Sequence, residues 1–131
     1  MSEDVIGKND LICAHFGRMH ENLDSADLLF AAGHISKATS CLYYAVFHAV
    51  HALFVANDIT AKTHHGMNAQ FHLHFIKTGL FDAKFGRLVA VMENMREKAE
   101  YDVVFRITSE EYSELKPIAY ELIQKIEETI K

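Results

Sequence analysis

The sequence predicts an all-α fold, an up-and-down antiparallel helical bundle of about five helices, formed as one domain over residues 1–131. Three observations carry this expectation. Apolar residues recur at alternating steps of three and four in separate segments, which is the period of a helix buried on one face. Nothing from Ala38 through Asn57 bears a formal charge, as expected of a helix at the centre of a bundle. There is one proline in 131 residues, and the composition of 50% hydrophobic and 24% charged residues is that of a chain with a single core.

The first helix is written by Ile12, Phe16, Met19, Leu23, Ala26 and Phe30, with Asn9 or Asp10 as its cap and Gly33 as the left-handed residue that closes it. Ser36 is placed to cap the second helix, the uncharged run that ends near Asn57. Its length would span a bilayer, but Thr39, Ser40, Tyr43, Tyr44, His48 and His51 point to a protein core and not to a membrane. After a loop at residues 58–62, Thr63 caps a third helix carrying Met67, Phe71 and Phe75 and stopped by Gly79. Asp82 caps a fourth, with Phe85, Leu88, Met92, Met95 and Ala99 on its apolar face. The β-branched EYDVVFRI stretch has no second strand to pair with and is read as an ordered loop. Thr108 and Glu111 form a capping box for the last helix, whose face is Leu115, Ile118, Leu122, Ile126 and Ile130. Pro117 predicts a kink near Ser113 or a helix that begins there.

The net charge of −5 excludes a broad basic surface that would hold nucleic acid by phosphate neutralisation alone. The acidic start MSEDVIGKND lacks the pattern of an export signal, and Cys13 and Cys41 read as buried thiols of an intracellular chain, so a cytoplasmic location is expected. Nine histidines raise the question of a metal site. His48 and His51 share a helix face, but no Glu-x-x-His or Cys₂His₂ spacing is present, and no metal or cofactor is expected.

Residues that could carry chemistry fall in three places. In CLYYAVFHAVHALF, His48 interrupts an apolar face, either as a hydrogen-bonded core histidine or as a proton-transfer group. In MREKAEYDVVF, Arg96, Tyr101 and Asp102 gather at a helix terminus. There Arg96 is either a dipole-matched cation paired with Glu100 or Asp102, or a fork for phosphate. In AKTHHGMN, Lys62 and His64 lie at a helix start, a simple cap or an anion site.

Taken in order, AAGHISKATSCLYYAVFHAVHALF, AKTHHG and FIKTGLFDAKFGRLVAVMENMREKAEYD resemble the HEPN domain family of helical nucleotide-binding domains. The likeness is to its small stand-alone prokaryotic branch, with an arginine-led YYAxFHA helix, a KTHxG loop and a REEADY-like segment. It implies a bundle that commonly dimerises, often encoded beside a minimal nucleotidyltransferase in a toxin–antitoxin-like pair. Many members are ribonucleases that need no metal, using an arginine followed four to six residues later by a histidine. In this sequence Cys41 stands where the helix is usually led by arginine, and Tyr101 stands where histidine would follow Arg96.

The resemblance therefore implies His48, Arg96 and Tyr101 as catalytic candidates, with Lys62, His64 and Asp102 binding a nucleotide or phosphate around one polar cleft. The expected function is a toxin-like component that acts on or binds RNA or a nucleotide. The alternative is a non-catalytic nucleotide- or protein-binding module whose ribonuclease motif has degenerated at Cys41. A homodimer is expected, with Phe81, Phe85, Val103, Val104 and Phe105 too many to bury within one bundle.

Overall fold

The structure is a computed structural model that describes residues 7–130, so most of the acidic N-terminal start lies outside the described residues. Five helices follow in order: α1 (Lys8–Ala31), α2 (Ile35–Ala56), α3 (His64–Phe71), α4 (Ala83–Tyr101) and α5 (Ser109–Ile130). A π-helical turn, His72–Ile76, continues α3, and there is no strand among the described residues.

The helix ends show which local rules decided. α1 begins on an extended Gly7 with no side-chain cap, so Asn9 and Asp10 fall inside the first turn, where the Asp10 charge faces the positive end of the dipole. At the other end Gly33, at φ +86°, closes a two-bond turn in which its N–H reaches Phe30 O at 3.0 Å and the His34 N–H reaches Leu29 O at 2.8 Å. That turn brings His34 straight to the cap position of α2, so Ser36 lies within the helix and not at its cap. Thr63 caps α3 by accepting the Gly66 N–H at 2.8 Å, and Asp82 caps α4 by accepting that of Lys84 at 2.9 Å. Thr108 and Glu111 exchange backbone-to-side-chain bonds of 2.9 and 3.1 Å, starting α5 at Ser109 and not near Ser113. The helix then runs through Pro117, which is exposed, as is Ser113, so the carbonyl that lost its partner faces water.

α2 is the axis of the core. Ala38, Leu42, Tyr43, Ala45, Val46, Ala49, Val50 and Leu53 are all fully buried on it, and α1, α3, α4 and α5 pack around it. α2 is long and apolar enough to cross a membrane by length and composition, but more than half of it is covered by the other helices. Met19, Phe71, Leu88, Met92, Leu122 and Ile126 join the core as expected, whereas Phe16, Leu23 and Leu115 are half-buried against it.

Two expectations are corrected. Phe81 and Phe85 are core residues, at 3% and 2% exposure, and not interface residues. Gly79, at φ +82°, turns the chain so that the Phe81 N–H bonds Phe75 O at 2.8 Å, which folds Phe81 into an aromatic cluster with Phe71, Phe75 and Phe85. Cys13 is exposed on α1, and only Cys41 is partly buried.

Candidate functional site

A polar cluster forms where α2, the start of α3 and the second half of α4 meet. Thr63 fixes the first turn of α3, which sets His64 against α2, and its Nδ1 lies 2.7 Å from the Tyr43 hydroxyl. The His64 ring also meets Phe47 and Tyr44, with centroids 5.2 and 6.0 Å away. From α4, the Arg96 guanidinium lies over the Tyr43 ring, 5.6 Å from its centroid. Its Nη1 donates to Glu100 one turn later, while its Nε is buried with no partner. Glu93, one turn earlier and only 4% exposed, faces His65 at 3.4 Å.

The electrostatics follow from this packing. Burial pushes the Tyr43 hydroxyl well above the ordinary tyrosine range, so it stays protonated. Burial, and then the nearby Arg96 charge, hold His64 below the ordinary histidine value, so its ring is neutral at neutral pH. Burial is the largest single influence on Arg96 and opposes its charge, but Glu100, Tyr44 and Tyr43 together outweigh it, so Arg96 stays cationic.

His48 belongs to a second cluster, on the α1 side of Phe47. Its Nδ1 lies 3.0 Å from that of His15, and the His15 ring stacks on His51 at 5.7 Å. Burial, with the neighbouring His15, lowers both His48 and His51 to about 4. These two residues make the fold acid-sensitive. In the unfolded chain they bind protons near 6.5, so between pH 6.5 and about 4 the unfolded state holds more protons and stability falls as pH falls. Thermal melts should therefore show a lower Tm at pH 4.5 than at pH 7, and the slope should flatten in His48→Gln and His51→Gln; equal slopes would remove these histidines as the cause.

Of the sequence-derived candidates, Arg96 and His64 thus share one aromatic partner, Tyr43, while the hydrogen bond of His48 goes to α1. Tyr101 ends α4 with its side chain 81% exposed, and Asp102 turns back to accept the Val104 N–H at 3.0 Å. Lys62 is exposed in the loop before α3. Glu100, and not Asp102, is the ion-pair partner of Arg96. Sequence reasoning missed Tyr43 and Glu93 as site residues and took His65 only as part of the AKTHHGMN anion motif, although the spacing of Glu93, Arg96 and Glu100 by three and four already places these three on one helix face. Among the described residues, no group of three or more histidine, cysteine or acidic side chains is arranged to hold a metal ion.

Residues 15–129 match the HEPN domain family. Two relatives come from Methanocaldococcus jannaschii. The protein named "Putative toxin MJ0605" is 31% identical over 111 residues, covering 85% of this chain and 82% of that protein. "Putative toxin MJ0142" is 30% identical over 94 residues, covering 72% of this chain and 64% of the relative. A UPF0332 protein of Thermotoga maritima is 33% identical over 84 residues, 64% of each chain. The match runs from the middle of α1 to the last turn of α5 and takes in both clusters and every helix that builds them, so the chain belongs to the HEPN domain family.

Proposed function

We propose that this chain is the toxin-like component of a two-protein system and acts on RNA by metal-independent cleavage. The single observation that supports it most is the pairing of a buried arginine with a neutral histidine through Tyr43. In the proposed reaction the 2′-hydroxyl oxygen attacks the adjacent phosphorus and the bond to the 5′-oxygen breaks, leaving a 2′,3′-cyclic phosphate and a 5′-hydroxyl. This step uses the His64 tautomer whose Nδ1–H donates to the Tyr43 oxygen, which leaves Nε2 to accept the 2′-hydroxyl proton. Arg96 stabilises the charge that builds on the phosphorane oxygens, and water supplies the proton to the leaving oxygen. His48 and Tyr101 complete the set of residues to be tested, with Lys62 as an outer phosphate contact and Asp102 as an acceptor for the donor groups of a nucleotide's sugar or base. The names of two relatives as toxins agree with this reading.

Purified protein should cleave single-stranded RNA in the presence of a chelator, and His64→Ala should remove the activity. Retention in His64→Ala with loss in His48→Ala would transfer the proton acceptor to the histidine pair on α1 and α2. No chelator-resistant cleavage above a mock purification would defeat the ribonuclease reading. A second reading, a non-catalytic nucleotide- or protein-binding module, is favoured by one observation: Tyr101 is presented to solvent at the end of α4, open to modification by a nucleotidyltransferase partner. Calorimetry with ATP, AMP and a short RNA separates the two.

Assembly is part of the same proposal. Val103 and Val104 are 87% and 79% exposed beside Tyr101, an apolar tip that the bundle does not cover. We expect a two-fold homodimer through this loop, in the cytoplasm. Light scattering over a dilution series should show the dimer mass, and Val103→Asp with Val104→Asp should give the monomer. A monomer at high micromolar concentration in the parent protein would refute it.

A further inference from the structure

We propose that Glu100 gates a phosphate subsite made by Arg96, Lys37 and Ser40, occupying the guanidinium edge that an RNA phosphodiester takes once the carboxylate swings into solvent. The inference rests on the RNA-acting reading above and names how its anion is admitted.

Arg96 is under-used where it stands. Its side chain is 9% exposed, one nitrogen is spent on Glu100, and its Nε donor is buried without an acceptor. That buried Nε is out of a ligand's reach, so the donor that a phosphate oxygen can take is Nη1, the one that Glu100 holds. Glu100, by contrast, is 44% exposed and is the penultimate residue of α4. A carboxylate there faces the negative end of the helix dipole, and an Arg-before-Glu order is the weaker one for an i, i+4 pair. Helix stability therefore gives no account of an acid at this position, and what holds it there is its one charge-assisted bond to Arg96, which an incoming phosphate replaces.

The space beside it is already polar. Glu100 and Ala99 line a cavity of about 270 Å³ with Ser36, Lys37 and Ser40 from the start of α2. Lys37, Ser40 and Tyr44 recur at steps of three and four and so share one face of α2, and that face lies against the Arg96–Ala99–Glu100 row of α4. With the Glu100 side chain in solvent, a phosphate in this cavity meets an ammonium and a hydroxyl from α2 and takes up the Arg96 Nη1 that Glu100 releases. With Glu100 in place, two anions would share one guanidinium, so free phosphate is repelled and only a ligand with further contacts displaces it.

The test is fluorescence anisotropy with a 2′-O-methyl RNA hexamer, which cannot be cleaved through its 2′-oxygen. Glu100→Gln should tighten binding about tenfold. Glu97→Gln, an exposed acid of the same helix, makes the same change in net charge and should leave binding as it is. Adding Lys37→Ala or Arg96→Lys to Glu100→Gln should erase the gain. An equal gain in Glu97→Gln, or no gain in Glu100→Gln while Arg96→Lys still weakens binding, would overturn the gate and leave the RNA reading standing. If Arg96→Lys changes binding in neither background, the proposed site at Arg96 fails and the gate fails with it.

Discussion

Arg96→Lys should lower chelator-resistant RNA cleavage by about 10²–10³-fold, the usual cost of losing one donor that meets developing charge in the transition state. Lysine is the informative replacement. Alanine would leave the buried Glu93 without the cation one turn away and so confuse folding with catalysis. Lysine keeps a positive charge on α4 and can still pair with Glu100, but as a point charge it cannot present the planar fork over Tyr43. The loss should fall on kcat more than on KM, with a melting temperature close to that of the parent. Cleavage at the parental rate in Arg96→Lys would show that the guanidinium does not meet the reacting phosphate.

The bundle was legible because its helices bury one face each, and a period of three and four survives in a sequence whatever lies opposite it. The local stops were equally plain where one side chain does the work, as at Thr63, Asp82 and the Thr108 capping box. They were not plain where backbone does it. Gly33 announced its turn, but the two-bond closure made His34 serve both helices, so the polar Ser36 was a decoy. Phe81 looked homeless for the same kind of reason: its burial depends on the chain reversal at Gly79, a tertiary event with no period to read.

The site divides along the same line. Arg96 with Glu100 is a neighbour relation within one helix, and spacing alone exposes it. His15 with His48, 33 residues apart, and Tyr43 with His64, 21 apart, are meetings between helices, which depend on how α1 and α3 rotate against α2. A single sequence contains no such angle. Its aromatic and imidazole residues on α2 therefore read as one stripe, when Phe47 in fact separates a histidine cluster facing α1 from an arginine cluster facing α4.

The largest stability effect should come from the axis of the core. Leu53 is fully buried on α2, so Leu53→Ala should cost about 2–5 kcal/mol through lost transfer energy and the cavity left behind. Against a total of roughly 5–15 kcal/mol for a domain of this kind, that is a large share of the whole. A second buried site gives the opposite sign and tests whether burial alone is being read. Tyr112 is 1% exposed and stacks on Phe30 at 4.6 Å, but its hydroxyl is buried with no partner. Burial pushes that hydroxyl up to about 12, so it is neutral and merely desolvated. An unpaired hydroxyl in such a place costs about 1–3 kcal/mol, and Tyr112→Phe removes it while keeping the ring and its stack. Urea unfolding should therefore show a much lower midpoint for Leu53→Ala and an unchanged or higher one for Tyr112→Phe. A loss above about 1 kcal/mol in Tyr112→Phe would mean that the hydroxyl has a partner, since only a made hydrogen bond has that much to lose.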